Sequence, residues 1–504
     1  MVPSGVAPFS SARAFLRHLP IEAGSASAQA VRFVTHAPAA AAASLNDRQP
    51  VKGQFRWRGR QGCLAGVRRI GWLVAEEYPE GLDVVVTGDL GRPDLDFFGV
   101  LAKVAPVSVT FGARPDAATA VGAAEAMADE ETVRVLSDSS WIRDEFAASE
   151  DWTEFRRRVV RYLTCGDSWT AAWLSDSALE TGIPLPAAAA DLMAMAYRAQ
   201  HRTGMAETCL RIALADTGPF AIQAGYSLSL LYARHFPPSL RSLARAEEIL
   251  DEAWRKSQSA EVTADGVLER VMNRNALALV LVRTGRQDEA ARTLRKAIEE
   301  LAADREANRV PLSILCNNLG RVLASMPDSA EAAAKMLREA VELDPQYPEF
   351  WFDLGEFSAN RGEPEEALSA LRRGTDLCTD AAPLYALTGY VLLGLGQVDD
   401  AYENYAKAVA LDPLDQDTFV TCIRTACLAE RYAEAEIWLD RLAVSGANEE
   451  VAPEAELLRI ETDSFLHGQA AAQTTARVRA LGERYPDSQL VQENVAAVRE
   501  ASAR

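Results

Sequence analysis

A chain of 504 residues is too long for one compact core, so two or more folding units or an elongated repeat array are expected. Hydrophobic residues at 48% and charged residues at 25% are ordinary, while a formal net charge of −20 excludes a general nucleic-acid binder, whose affinity needs clustered positive charge. The opening residues lack the apolar stretch of a secretory signal and no run approaches the roughly 18 apolar residues of a membrane span, which predicts a cytoplasmic protein.

Residues 1–150 have the grain of a small α/β domain. In VKGQFRWRGRQ, Arg56, Arg58 and Arg60 alternate with Phe55 and Trp57, so an extended segment puts arginines on one face and aromatics on the other. Such a strip suits phosphate or an acidic partner, or equally an edge strand protected by charge. LDVVVTGD (82–89) reads as a strand, RPDLDFFGVLAKVA as a helix with Asp94 at its N-cap, and PVSVTFGARPD (106–116) as a second strand. An alanine-rich helix around 117–128 and a third strand, TVRVLSD, complete a pattern of parallel α/β units. Asp89, Asp94 and Asp96 sit where such sheets bind ligands and are a possible Mg²⁺ or ligand site; strand-end and capping roles are the plain alternative.

From residue 151 onward the pattern becomes helical and repetitive. Trp351 is followed 34 residues later by Tyr385, and the same step links Gly355 to Gly389, Gly362 to Gly396, Ala367 to Ala401 and Leu371 to Tyr405. The chemistry fits a helical hairpin. A small Gly355 admits the second helix, Gly362 makes the turn, and Pro364 with Glu365 and Glu366 opens the next helix. Ala367 and Leu371, four apart, then pack back. One step further come Phe419, Ala435 and Leu439, with Glu430 in place of the turn glycine; one step earlier come Ala333, Leu337 and Ala340. Fainter copies run through Ala290, Leu294 and Ala297, then Ala246, Leu250 and Ala253, then Ala206, Leu210 and Ala213.

The residues Tyr385, Gly389, Gly396, Ala401, Tyr405, Ala408 and Pro413 closely resemble the signature of the tetratricopeptide repeat family. The resemblance implies a mainly α fold, a TPR-type α-solenoid or superhelix preceded by the small α/β domain. Degenerate repeats are expected over 151–310, well-formed repeats over 311–487 and a solvating helix over 488–504. In this family the first helix of each pair lines a concave groove, which implies a peptide-binding role for Asn275, Asn318, Phe352, Asp353, Glu356, Tyr390 and Arg424.

The amino-terminal pattern is weakly similar to the ATPase modules that precede helical repeats in signalling regulators. It has no GxxxxGK[ST] loop, so a degenerate, non-hydrolysing remnant or an unrelated domain is expected. His18, His36, His201, His235 and His467 are scattered and the seven cysteines include no CxxC pair. No catalytic residues, metal site or cofactor are therefore assigned. The expected function is a scaffold or adaptor for a protein or peptide. The alternative is a regulatory or accessory subunit with a nucleotide- or small-molecule-binding amino-terminal domain in a bacterial system, the arginine- and alanine-rich composition pointing to a GC-rich genome.

Overall fold

The computed structural model describes residues 8–17, 19, 21, 31, 34, 60–78, 80–86, 92–104, 107–111, 130–258, 267–379, 381–413 and 415–503. The chain divides into two compact units, one of Met1–Cys63, Val85–Phe97 and Thr110–Phe357, the other of Leu64–Val84, Phe98–Val109 and Ser358–Arg504. Segments of the first 150 residues thus belong to both.

From Trp152 onward, nine helical pairs and a final helix follow one another among the described residues. Helices adjacent in sequence pack on one another, as Arg309–Ala324 does on Ala330–Leu343 in the first unit and Ala382–Gly394 on Val398–Leu411 in the second, and some first helices also pack a repeat apart, as Pro219–Leu230 does on Val267–Arg283. This is the α-solenoid arrangement, in which each pair buries its apolar face only by stacking. The repeated alanines show why the step is kept. Ala206, Ala246, Ala290 and Ala333 in the first unit, and Ala367, Ala401 and Ala435 in the second, are all fully buried at the crossing of two helices.

All but one of the turns inside the pairs hold a left-handed residue, the exception being the connection from Leu231–His235 to Leu243–Ser257. Gly285, Gly362, Gly396 and Gly468 take φ between 61° and 78°, as glycine does without steric cost. Where glycine is missing, the conformation is kept nonetheless: His201, Asp328 and Glu430 stand at φ 56°, 56° and 59°. Pro364 opens Pro364–Leu377 as expected, with Glu365 and Glu366 in the first turn against the positive end of the helix dipole. In the second unit, Val491 and Val495 of Gln489–Ala503 are buried against Ile460, Val478 and Leu481, so this helix packs on the pair before it as the others do.

Nearer the amino terminus, strands Leu82–Val86 and Val107–Phe111 pair as a two-stranded sheet, with helix Arg92–Val104 between them in sequence. The third strand expected at TVRVLSD is instead helix Glu130–Trp141. Thr132, Val135 and Ser139 are buried at spacings of three and four while Val133 is 53% exposed, a helical period that outweighs the β-branched composition. The helix expected around 117–128 lies outside the described residues, as do Arg56, Arg58 and Asp89. Arg60 begins helix Arg60–Glu77, so its backbone is not extended.

Candidate functional site

In the first unit the first helices Val267–Arg283, Arg309–Ala324 and the start of Pro348–Asn360 carry five of the expected groove residues. Asn318 Nδ2 donates to Asn275 Oδ1 at 2.8 Å, so two side-chain amides one repeat apart are joined. Both are half-buried, and neither amide is exhausted: Asn318 Oδ1 and Asn275 Nδ2 retain bonding capacity. Phe352 is buried, its ring part of the packing. Asp353 is buried too, accepting from Asn317 Nδ2 at 2.7 Å with Arg321 Nη1 3.8 Å away. Glu356 is exposed.

In the second unit Tyr390, on Ala382–Gly394, leaves 61% of its surface exposed, unusual for a tyrosine flanked by buried Gly389 and Val391. Arg424, on Gln416–Leu428, is ion-paired through Nε to Glu454 Oε1 at 2.6 Å. Burial raises the Tyr405 phenol to about 12, and the positive Arg424 acts in the opposite sense.

The amino-terminal aspartates have structural partners. Asp94 lies inside the first turn of Arg92–Val104 rather than at its N-cap, and its buried Oδ1 accepts the Ala12 backbone N–H at 3.0 Å. Asp96 Oδ2 accepts Trp169 Nε1–H at 3.0 Å, and the Trp169 ring meets Phe9 edge-on at 5.1 Å. Both carboxylates serve to hold helix Arg92–Val104 against segments distant in sequence. Nothing in the spacing of the aspartates announced those donors.

One grouping has no signature in sequence spacing. Glu436, Asp463 and His467 offer ligand atoms within 4.8 Å of one another, because His467 follows Asp463 by one turn and Glu436 faces them from the neighbouring helix. Each already has an ionic or hydrogen-bonded partner: His467 Nε2 lies 2.8 Å from Glu436 Oε1, and Arg477 Nη1 donates to Asp463 Oδ2 at 2.7 Å. The Arg477 charge opposes a cation at this spot.

Helix pairing and the 34-residue register define a class, and residues 324–387 match the family model of the tetratricopeptide repeat. That match identifies the stretch 324–387 as tetratricopeptide repeat, within an array of helical pairs that continues on both sides of it. No curated protein sequence matches it. Among solved structures it is similar to pilF of Pseudomonas aeruginosa at 20% identity, over 46% of this chain and 99% of that one, with a TM-score of 0.36. YrrB, described as a TPR protein with an unusual peptide-binding site, is similar at 20% identity over 37% and 89% of the two chains, with a TM-score of 0.29. A thermophilic TPR protein of Thermus thermophilus is similar at 20% identity over 41% and 99%, with a TM-score of 0.30. Among the described residues no helix is long and apolar enough to cross a membrane.

Proposed function

We propose that the first helices of the repeats receive an extended segment of a protein partner, and that the chain works as an adaptor through these faces. The observation that carries the reading is the Asn275–Asn318 pair. Two amides held at 2.8 Å keep a donor and an acceptor available, one repeat apart on adjacent helices. A backbone peptide group also offers one donor and one acceptor, so side-chain amides suit recognition that tolerates sequence. In the second unit exposed Tyr390 supplies the rigid, amphipathic surface favoured at interfaces, and the Arg424–Glu454 pair offers a polar rim beside it. Phe352 and Asp353 act on this reading from beneath, as packing that fixes Glu356 and the Asn317–Asp353 bond, rather than as contact residues.

Affinity capture from the native lysate tests the proposal when the wild-type chain is compared with Asn275→Ala/Asn318→Ala and with Tyr390→Ala. A partner recovered by the wild type and weakened about tenfold or more by either variant supports the reading. A partner held equally by all three chains contradicts it.

A further inference from the structure

Two successive repeats of the second unit leave apolar side chains open along one edge. The turn at Glu430 joins helix Gln416–Leu428 to helix Tyr432–Ser445, so Leu428 and Tyr432 flank it. Phe465 and Leu466 end the next first helix, Ala452–Leu466. The Phe465 ring lies flat on the Tyr432 ring, with centroids 4.5 Å apart and planes 8° from parallel. Cys427 Sγ stands 3.7 Å from Thr462 Oγ1, which seats the end of one first helix against the other. Tyr432 packs on the core beneath, yet Phe465 keeps 65% of its surface exposed, Leu428 58% and Leu466 39%.

The setting of this edge is strongly acidic. Residues 397–463 hold sixteen carboxylates against five lysines and arginines. Three of those cations are already taken: Arg424 by Glu454, Arg431 by Asp399 and Glu403, and Arg459 by Asp440. Glu430 and Glu461 are exposed and stand in no ion pair among the described residues. Glu461 precedes Phe465 by four residues, so its carboxylate lies one helical turn from the ring on the same face. Burial raises the Tyr432 phenol, and the charges of Glu461 and Glu430 reach it and act in the same sense.

An open aromatic face beside carboxylates that lack a cation suits a guanidinium, which stacks on the ring and bonds the carboxylate together. We propose that Leu428, Tyr432, Phe465 and Leu466, with Glu430 and Glu461, form a docking edge for a basic, apolar segment of a partner protein. An arginine of that segment stacks on the open face of Phe465 and reaches Glu461, while its apolar neighbours cover Leu428 and Leu466. The negative field repels a second copy of this chain and an anionic lipid surface, which singles out the basic segment as the occupant. The edge shares no residue with the amide pair, Tyr390 or Arg424, so either proposal can fail alone.

Fluorescence anisotropy of the full chain with a labelled octapeptide alternating arginine and leucine is the test. Binding to the wild type is expected, weakened about tenfold by Phe465→Ala and by Glu430→Gln/Glu461→Gln together, and kept by Phe465→Trp, whose larger ring serves a cation better. Glu449→Gln/Glu450→Gln removes the same charge from exposed positions elsewhere and leaves binding unchanged. Failure of the peptide to bind the wild type, or equal binding by Phe465→Ala, overturns the site. Equal losses from the two glutamine pairs overturn it as well, since they mean diffuse attraction to an acidic protein. Dimerisation seen by sedimentation, or binding of phosphatidylserine vesicles, that Phe465→Ala abolishes would assign the edge to another occupant and contradict the proposal.

Discussion

Gly389 and Tyr405 lie so close that a methyl group on the glycine would meet the tyrosine ring carbon Cδ2 at 2.9 Å. The same crowding recurs in the first unit, where a Cβ on Gly320 would lie 2.7 Å from Leu337 Cγ. Both are buried positions at which the first helix of a pair must touch the second. Absence of a side chain there is a condition of stacking.

Gly389→Ala is therefore expected to lower stability by about 1–3 kcal/mol through overpacking. Gly394, at the end of the same helix, has nothing within 4 Å of an added Cβ. Its alanine variant is expected to be neutral or to stabilise by less than about 1 kcal/mol. Urea unfolding of the two variants beside the wild type separates packing from backbone propensity.

Asp138 is buried and accepts the Tyr162 hydroxyl at 2.6 Å and Arg158 Nη1 at 2.6 Å, with Arg161 at 3.5 Å. Arg158 also lies 4.3 Å above the Trp141 ring. Removing the carboxylate leaves a buried hydroxyl and a partly buried guanidinium without their acceptor. Asp138→Ala should cost about 3 kcal/mol and Asp138→Asn less, read as a drop in Tm.

Acid should destabilise the first unit in two stages. Burial, reinforced by the surrounding Arg198, Arg234, His201 and Arg241, lowers His235 from 6.5 to about 3, so the folded chain keeps it neutral while the unfolded chain takes up a proton below pH 6.5. Hydrogen bonds from Arg157 and Arg158 lower Glu154 from 4.5 to about 2, a contribution present above pH 4.5 and lost as pH falls toward 2. Stability measured against pH should flatten between 6.5 and 4.5 in His235→Gln and below 4.5 in Glu154→Gln. Unchanged profiles contradict these assignments.

The repeats are legible in the sequence where glycine marks them. Gly362 and Gly396 announce their turns and the register alone places Glu430 at its own, whereas His201 and Asp328 adopt the same left-handed backbone with no glycine to mark it. The alanines are legible throughout because helix crossings tolerate little else. Residues 132–138 differ from expectation because β-branched composition resembles a strand until burial reveals the period. The site is less legible. Asp94 and Asp96 find their donors 82 and 73 residues away, and Phe352 turns inward despite its register.

Site-specific photo-crosslinking tests the central claim most directly. A benzoyl-phenylalanine introduced in place of Asn318 or Tyr390, on first helices, is compared with one replacing Lys335, exposed on a second helix. Crosslinks to a partner protein from positions 318 and 390 and none from 335 are the predicted result. Crosslinks from 335 alone would contradict the account.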